Sequence, residues 1–191
     1  LADSNLQLLD ALDLVEKKFV LSTFHRQETV DNKEKLTRLV RSINEIAKHY
    51  KVVIPLHPRT KNRVQEFQLS FDENVKIIDP IGYLDLLTLL KKSRFCLTDS
   101  GGLQEEAMVA KIPALILREE TELMQYVNCG FHSLVGTSFE TITRHALELI
   151  ENDDIYNKRL NIPINYSKNT TNKIMKHIEE KVNEKTLVHN A

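Results

Sequence analysis

Six short apolar runs, separated by amphipathic stretches, restrict this chain more than any other feature. They are Phe19-Val20-Leu21-Ser22-Thr23, Val52-Val53-Ile54-Pro55-Leu56, Val75-Lys76-Ile77-Ile78, residues 94–98, Pro113-Ala114-Leu115-Ile116-Leu117 and Ser133-Leu134-Val135. Short apolar runs with little polar alternation suit strands that are covered on both faces. The intervening stretches carry helical spacing. Leu6, Leu9, Leu12 and Val15 form one face, closed by Lys17-Lys18. Leu36, Leu39, Val40, Ile43 and Ile46 carry a long helix to Tyr50, opened by Asp31 and Glu34 in the form of a capping box. Shorter patterns surround Val64 and Phe67, Tyr83 to Leu90, Leu103 to Ala110, and Leu123 to Val127. A helix over 138–152, a piece near Tyr156 and a polar tail from about Asn169 complete the chain. Strand-helix alternation of this kind predicts an α/β fold: a doubly wound, mostly parallel six-stranded sheet with helices on both faces. The 191 residues allow one large or two small domains. The unbroken alternation favours a single domain over 1–191.

The totals narrow the function class. Hydrophobic residues at 41% and charged residues at 28% are ordinary for a globular protein, and a net charge of -1 argues against nucleic acid as the main partner. No apolar run approaches membrane-spanning length, and Leu1-Ala2-Asp3-Ser4-Asn5 is no signal peptide. Cys96 and Cys129 fit no metal or redox spacing, and both have apolar sequence neighbours. His49, His132, His145, His177 and His189 are scattered, so no metal is assigned. The expected compartment is the cytoplasm. Nucleophile elbows, Walker loops and GxGxxG fingerprints find no match.

One strand-to-helix junction stands out: Thr98-Asp99-Ser100-Gly101-Gly102-Leu103-Gln104-Glu105-Glu106-Ala107. Two glycines let backbone N–H groups approach a ligand closely, and the first turn of a helix leaves such groups unpaired at its positive end. Ser100, Gly101 and Gly102 are therefore a candidate seat for phosphate or pyrophosphate. The plainer reading is an N-capped turn, with Asp99 or Ser100 as cap. On a helix starting near Gly102, Glu106 lies about 60° from Leu103, beside the sheet-facing stripe, whereas Glu105 is turned about 160° away. Glu106 is placed to accept ribose hydroxyls; its plainer role is to complement the helix dipole. If the strand order is the common 3-2-1-4-5-6, strands one and four are neighbours at the switch point, where ligands bind. The exit of strand one, His25-Arg26, then meets Asp99-Ser100-Gly101-Gly102 across one crevice. His57-Pro58-Arg59, one strand away, is placed to shape or charge the cleft; its plainer reading is a structural turn, and that of Arg59, Lys61 and Arg63 a solvated basic face.

These stretches resemble a known family. Asp99-Ser100-Gly101-Gly102 through Gln104-Glu105-Glu106 is similar to the DSGGxQEE motif of the non-hydrolysing UDP-N-acetylglucosamine 2-epimerases, and His25-Arg26-Gln27-Glu28 resembles their HRxE motif. Leu56-His57-Pro58-Arg59-Thr60, Pro80-Ile81-Gly82-Tyr83 and Leu117-Arg118-Glu119-Glu120-Thr121-Glu122 follow in the family's order. The resemblance implies a GT-B architecture, of which this chain is the Rossmann-like C-terminal half, facing an N-terminal domain. It implies elimination and re-addition of UDP on a UDP-sugar, with neither metal nor organic cofactor. By the same resemblance, Ser100, Gly101 and Gly102 hold the pyrophosphate, Glu106 holds the ribose, and the backbone around Ile81 lies near the uracil. His25 is the catalytic candidate, near the phosphates and reacting sugar. The chain departs from the family pattern at Ala110-Lys111-Ile112-Pro113, at Leu123 and at Tyr166-Ser167-Lys168-Asn169. A GT-B glycosyltransferase donor domain and a stand-alone nucleotide-sugar-binding module stay open as alternatives, as does a homodimeric assembly.

Overall fold

The computed structural model describes residues 2–163 and 169–189. The strands are β1 (Phe19–Thr23), β2 (Lys51–Pro55), β3 (Val75–Ile78), β4 (Cys96–Thr98), β5 (Ala114–Ile116) and β6 (Ser133–Leu134). The helices are α1 (Ala2–Ala11), α2 (Gln27–Val30), α3 (Lys33–Ala47), α4 (Pro58–Glu66), α5 (Tyr83–Lys92), α6 (Gly101–Val109), α7 (Met124–Asn128), α8 (Phe139–Glu151), α9 (Asp153–Leu160) and α10 (Thr170–His189). The expected departure at Tyr166-Ser167-Lys168 lies outside the described residues.

The strands form one sheet in the order β3-β2-β1-β4-β5-β6, and all five pairings are parallel. Successive side chains of an apolar strand must point to opposite faces. Here each face has its own core. Val20, Val52, Ile54 and Leu97 point into one, covered by Leu36, Leu39 and Ile43 of α3 and Ile142, Ala146 and Leu149 of α8. Phe19, Leu21, Val53 and Cys96 point into the other, covered by Leu9 of α1, Leu89 and Leu90 of α5, and Leu103 and Ala107 of α6. Burial on both sides explains why the strands read as continuous apolar runs.

Some local expectations fail for identifiable reasons. The first helix ends at Ala11, not Val15, because Asp13 and Lys17 adopt left-handed backbone; Leu14 turns inward and Val15 is left exposed. Asp31 does not open the long helix. Asn32 does, its side chain accepting from Lys35 N at 3.0 Å, while Asp31 faces Arg59 and Arg63 on α4. Those two arginines are thus not a free basic face: they hold the Asp31 carboxyl down at about 2 and tie the α2–α3 corner to α4. Cys129 is exposed despite its apolar neighbours in sequence, since α7 buries no residue; Cys96 is fully buried, and burial pushes its thiol up to about 12.

Candidate functional site

The observed strand order makes β1 and β4 neighbours, pairing Thr23 with Thr98 at their carboxyl ends. Both chains then leave the sheet on the same side, and Asp99 joins them. Its carboxylate is fully buried, and Oδ2 accepts from the backbone N–H of His25 at 2.9 Å and of Arg26 at 2.8 Å. Asp99 is therefore not the helix cap. Ser100 is: its Oγ accepts from Leu103 N at 3.4 Å, which leaves its own O–H available to donate. Burial pushes the Asp99 carboxyl above its ordinary value, opposed by the two N–H donors and by His25 and Arg26.

Gly101 and Gly102 begin α6, in the first turn where N–H groups lack helical acceptors. Neither has the left-handed backbone that demands glycine, so the turn itself does not require them. A Cβ added at either would meet nothing within 4 Å. What the two glycines supply is bare backbone between Ser100 and Leu103, which line a cleft that neither glycine lines itself.

That cleft, of about 200 Å³, is lined by His25, His57, Ile81, Ser100 and Leu103 among others. Three of the sequence-predicted residues, His25, Ile81 and Ser100, thus share one cavity. Glu106 does not line it. It is half-exposed on α6 and accepts a hydrogen bond from the hydroxyl of Tyr83 at the start of α5. The carboxylate in turn pushes the Tyr83 phenol up. Glu105 points away and is exposed, as the helical spacing requires.

His57 combines the two roles that the sequence left open, lining the cleft and shaping a turn. Its Nδ1 caps α4 by accepting from Arg59 N at 3.2 Å, which is the structural role expected. Its ring also stacks on His25, with centroids 5.4 Å apart and planes 28° apart. The signal was present in the strand order, because β2 is the other neighbour of β1 and its exit adjoins the same crevice. The Leu117–Glu122 stretch goes elsewhere. With Glu28, Thr29 and Thr137 its first residues line a separate cleft of about 170 Å³, where the Arg118 guanidinium pairs with Glu122 at 2.9 Å and 3.1 Å.

A buried polar link holds α6 against the sheet from behind. His132 Nδ1 accepts from Ala114 N at 3.0 Å, so Nε2–H donates to Gln104 O at 3.0 Å. The Gln104 side chain accepts from Thr121 Oγ1 at 2.8 Å. Burial pushes the His132 imidazole down to about 4. Among the described residues no group of three or more His, Cys, Asp or Glu side chains is placed to hold a metal ion.

Comparison with known proteins decides the family. A family model described as UDP-N-acetylglucosamine 2-epimerase matches residues 2–179. The chain belongs to the UDP-N-acetylglucosamine 2-epimerase family. It is 41% identical over 145 residues to the UDP-N-acetylglucosamine 2-epimerase of Methanocaldococcus jannaschii, covering 73% of this chain and 39% of that protein. It is also 41% identical over 129 residues to the UDP-2,3-diacetamido-2,3-dideoxy-D-glucuronate 2-epimerase of Pseudomonas aeruginosa, covering 67% of this chain and 36% of the other. The crystal structure of the Neisseria meningitidis epimerase bound to UDP-GlcNAc superposes with a TM-score of 0.79 at 34% identity, over 94% of this chain and 49% of that one. The chain thus spans less than half the length of these epimerases. Its six-stranded parallel sheet is the Rossmann-like half of a GT-B fold.

Proposed function

We propose that residues 1–191 form the UDP-binding domain of an epimerase that interconverts UDP-N-acetylglucosamine and its N-acetylmannosamine epimer. The observation that carries this is the junction at Asp99: one buried carboxylate ties the His25-Arg26 exit to the loop that opens α6, and both face one cleft. In this reading Ser100 O–H and the N–H groups of Gly101 and Gly102 hold the pyrophosphate. Glu106 takes the ribose hydroxyls once Tyr83 yields, and the Ile81 segment borders the uracil. His25 is the catalytic group that this chain contributes. The proton on C2 is removed as the C1–O bond to UDP breaks, giving UDP and a 2-acetamidoglucal. Protonation of C2 from the opposite face and return of UDP to C1 complete the inversion. Proton transfer on both faces needs further placed acids and bases. A facing domain supplies them, so the 191 residues alone bind UDP without turning over the sugar. The compartment that fits this reading is the cytoplasm. A second reading of the sugar, a UDP-2,3-diacetamido uronate, is favoured by the 41% identity to the P. aeruginosa enzyme.

The test is to incubate the protein containing this domain with UDP-N-acetylglucosamine in D2O. Loss of the C2–H resonance, together with appearance of the second epimer, is expected. Full retention of that proton on both candidate sugars overturns the proposal.

A further inference from the structure

We infer that Asp99 is a positioning residue which fixes the tautomer of His25, placing the proton on Nδ1 and leaving Nε2 as the free lone pair. This rests on the reading above that His25 acts on the ligand. The two oxygens of the carboxylate have separate tasks. Oδ2 is used by the backbone N–H groups of His25 and Arg26. Oδ1 is buried and has no hydrogen-bond partner, although buried polar atoms rarely go without one. A nitrogen that can partner it is His25 Nδ1, 3.6 Å away. That is longer than a hydrogen bond, but the His25 side chain is 47% exposed and has room to close the gap.

The geometry makes the choice one-sided. Oδ2 pins the backbone of His25, and of the two ring nitrogens the one brought near Oδ1 is Nδ1, at 3.6 Å. A carboxylate oxygen only accepts, so the nitrogen facing it must carry the proton. Nε2, across the ring, is then the atom left without a hydrogen. His57, from the β2–α4 loop, stacks on the ring and supplies no carboxylate. Arg26, the next residue along, pairs with Glu28 at 3.8 Å. No other carboxylate is paired with His25 among the described residues.

The experiment is long-range 1H–15N correlation on the 15N-histidine-labelled chain near pH 8.5, where an ordinary imidazole is neutral. Wild type should show His25 mainly as the Nδ1–H form, against the Nε2–H preference of free histidine. Asp99→Asn keeps an amide oxygen for the two backbone donors but turns N–H toward Nδ1. It should shift the tautomer ratio toward Nε2–H by about tenfold or more. A wild-type ring that is mainly Nε2–H overturns the inference even if Asp99→Asn does not fold. An Asp99→Asn chain with native circular dichroism and an unchanged ratio does so as well. Failure of the functional reading is separate: a His25→Asn epimerase with undiminished turnover removes His25 from catalysis while leaving the tautomer result intact.

Discussion

The buried His132 link makes the stability of this chain depend on pH in a way that can be worked out in advance. His132 is 2% exposed, and burial pushes its ring from the ordinary 6.5 down to about 4. Between those values the unfolded chain binds a proton that the folded chain refuses, so acid favours unfolding. The contribution is therefore fully present above pH 6.5 and is lost as pH falls toward 4. A gap of about 2.5 at 1.36 kcal/mol per unit amounts to roughly 3 kcal/mol, a large part of the 5–15 kcal/mol that holds a typical domain. About 2 kcal/mol of it should disappear between pH 7 and pH 5. His145, also lowered by burial, adds in the same direction. Asp99, raised by burial, acts oppositely: its contribution is present in acid and is lost as pH rises through its elevated value. Asp31 and Glu122, both held near 2, titrate below this window. Comparing wild type with His132→Asn by urea unfolding at pH 7, 6 and 5 isolates the one ring. Wild type should lose about 2 kcal/mol more than the variant over that range. Parallel stability curves would refute the reasoning, since they mean that His132 accepts its proton without unfolding.

If Glu106 accepts the ribose hydroxyls as proposed, Glu106→Ala should weaken UDP about 10–100-fold, two charge-assisted hydrogen bonds being lost and partly returned by water. The preference for UDP over 2′-deoxy-UDP should vanish with it, while Glu105→Ala keeps both; calorimetric titration reads all three. Tyr83→Phe frees the Glu106 carboxylate and should leave UDP affinity within about threefold of wild type or tighter. A loss as large as that of Glu106→Ala would show that Tyr83 itself holds the ligand. Asp99→Ala strands the partly buried N–H groups of His25 and Arg26 and should cost about 1–3 kcal/mol in urea unfolding, against less for Asp99→Asn. Wild-type unfolding should be one cooperative transition by fluorescence and circular dichroism, given the covered core on each sheet face.

What could be read from the sequence follows from periodicity. Apolar runs and helical spacing specify the parallel sheet, and the common strand order then brings His25 to Ser100 without any contact being known in advance. What could not be read are pairings between side chains far apart in sequence. Asp31 carries the local signature of a cap, yet two arginines about 30 residues on compete for it more strongly than a backbone N–H. Asp99 has the same ambiguity with Ser100, resolved only because β1 ends beside β4. His57 has two roles, of which only the capping one is local. Tyr83 reaches Glu106 because α5 and α6 lie side by side on one sheet face, a fact that spacing within either helix does not contain. Val15 and Cys129 show the reverse error: apolar neighbours in sequence do not guarantee cover in space.

The central claim is that the bare first turn of α6 seats the diphosphate. It is tested most directly by titrating the chain with UDP and comparing wild type with Gly102→Ala. Gly102 is exposed, has no left-handed backbone, and has open space where a Cβ would stand. Alanine there should leave the fold intact or gain up to about 1 kcal/mol of stability. If the space belongs to a phosphate, the methyl group blocks its approach. Wild type should bind with a Kd of roughly 0.1–1 mM, and Gly102→Ala should bind about tenfold more weakly or not at all. Equal UDP affinity in the two proteins, or no binding by a folded wild-type chain at several-fold higher UDP, would contradict the account.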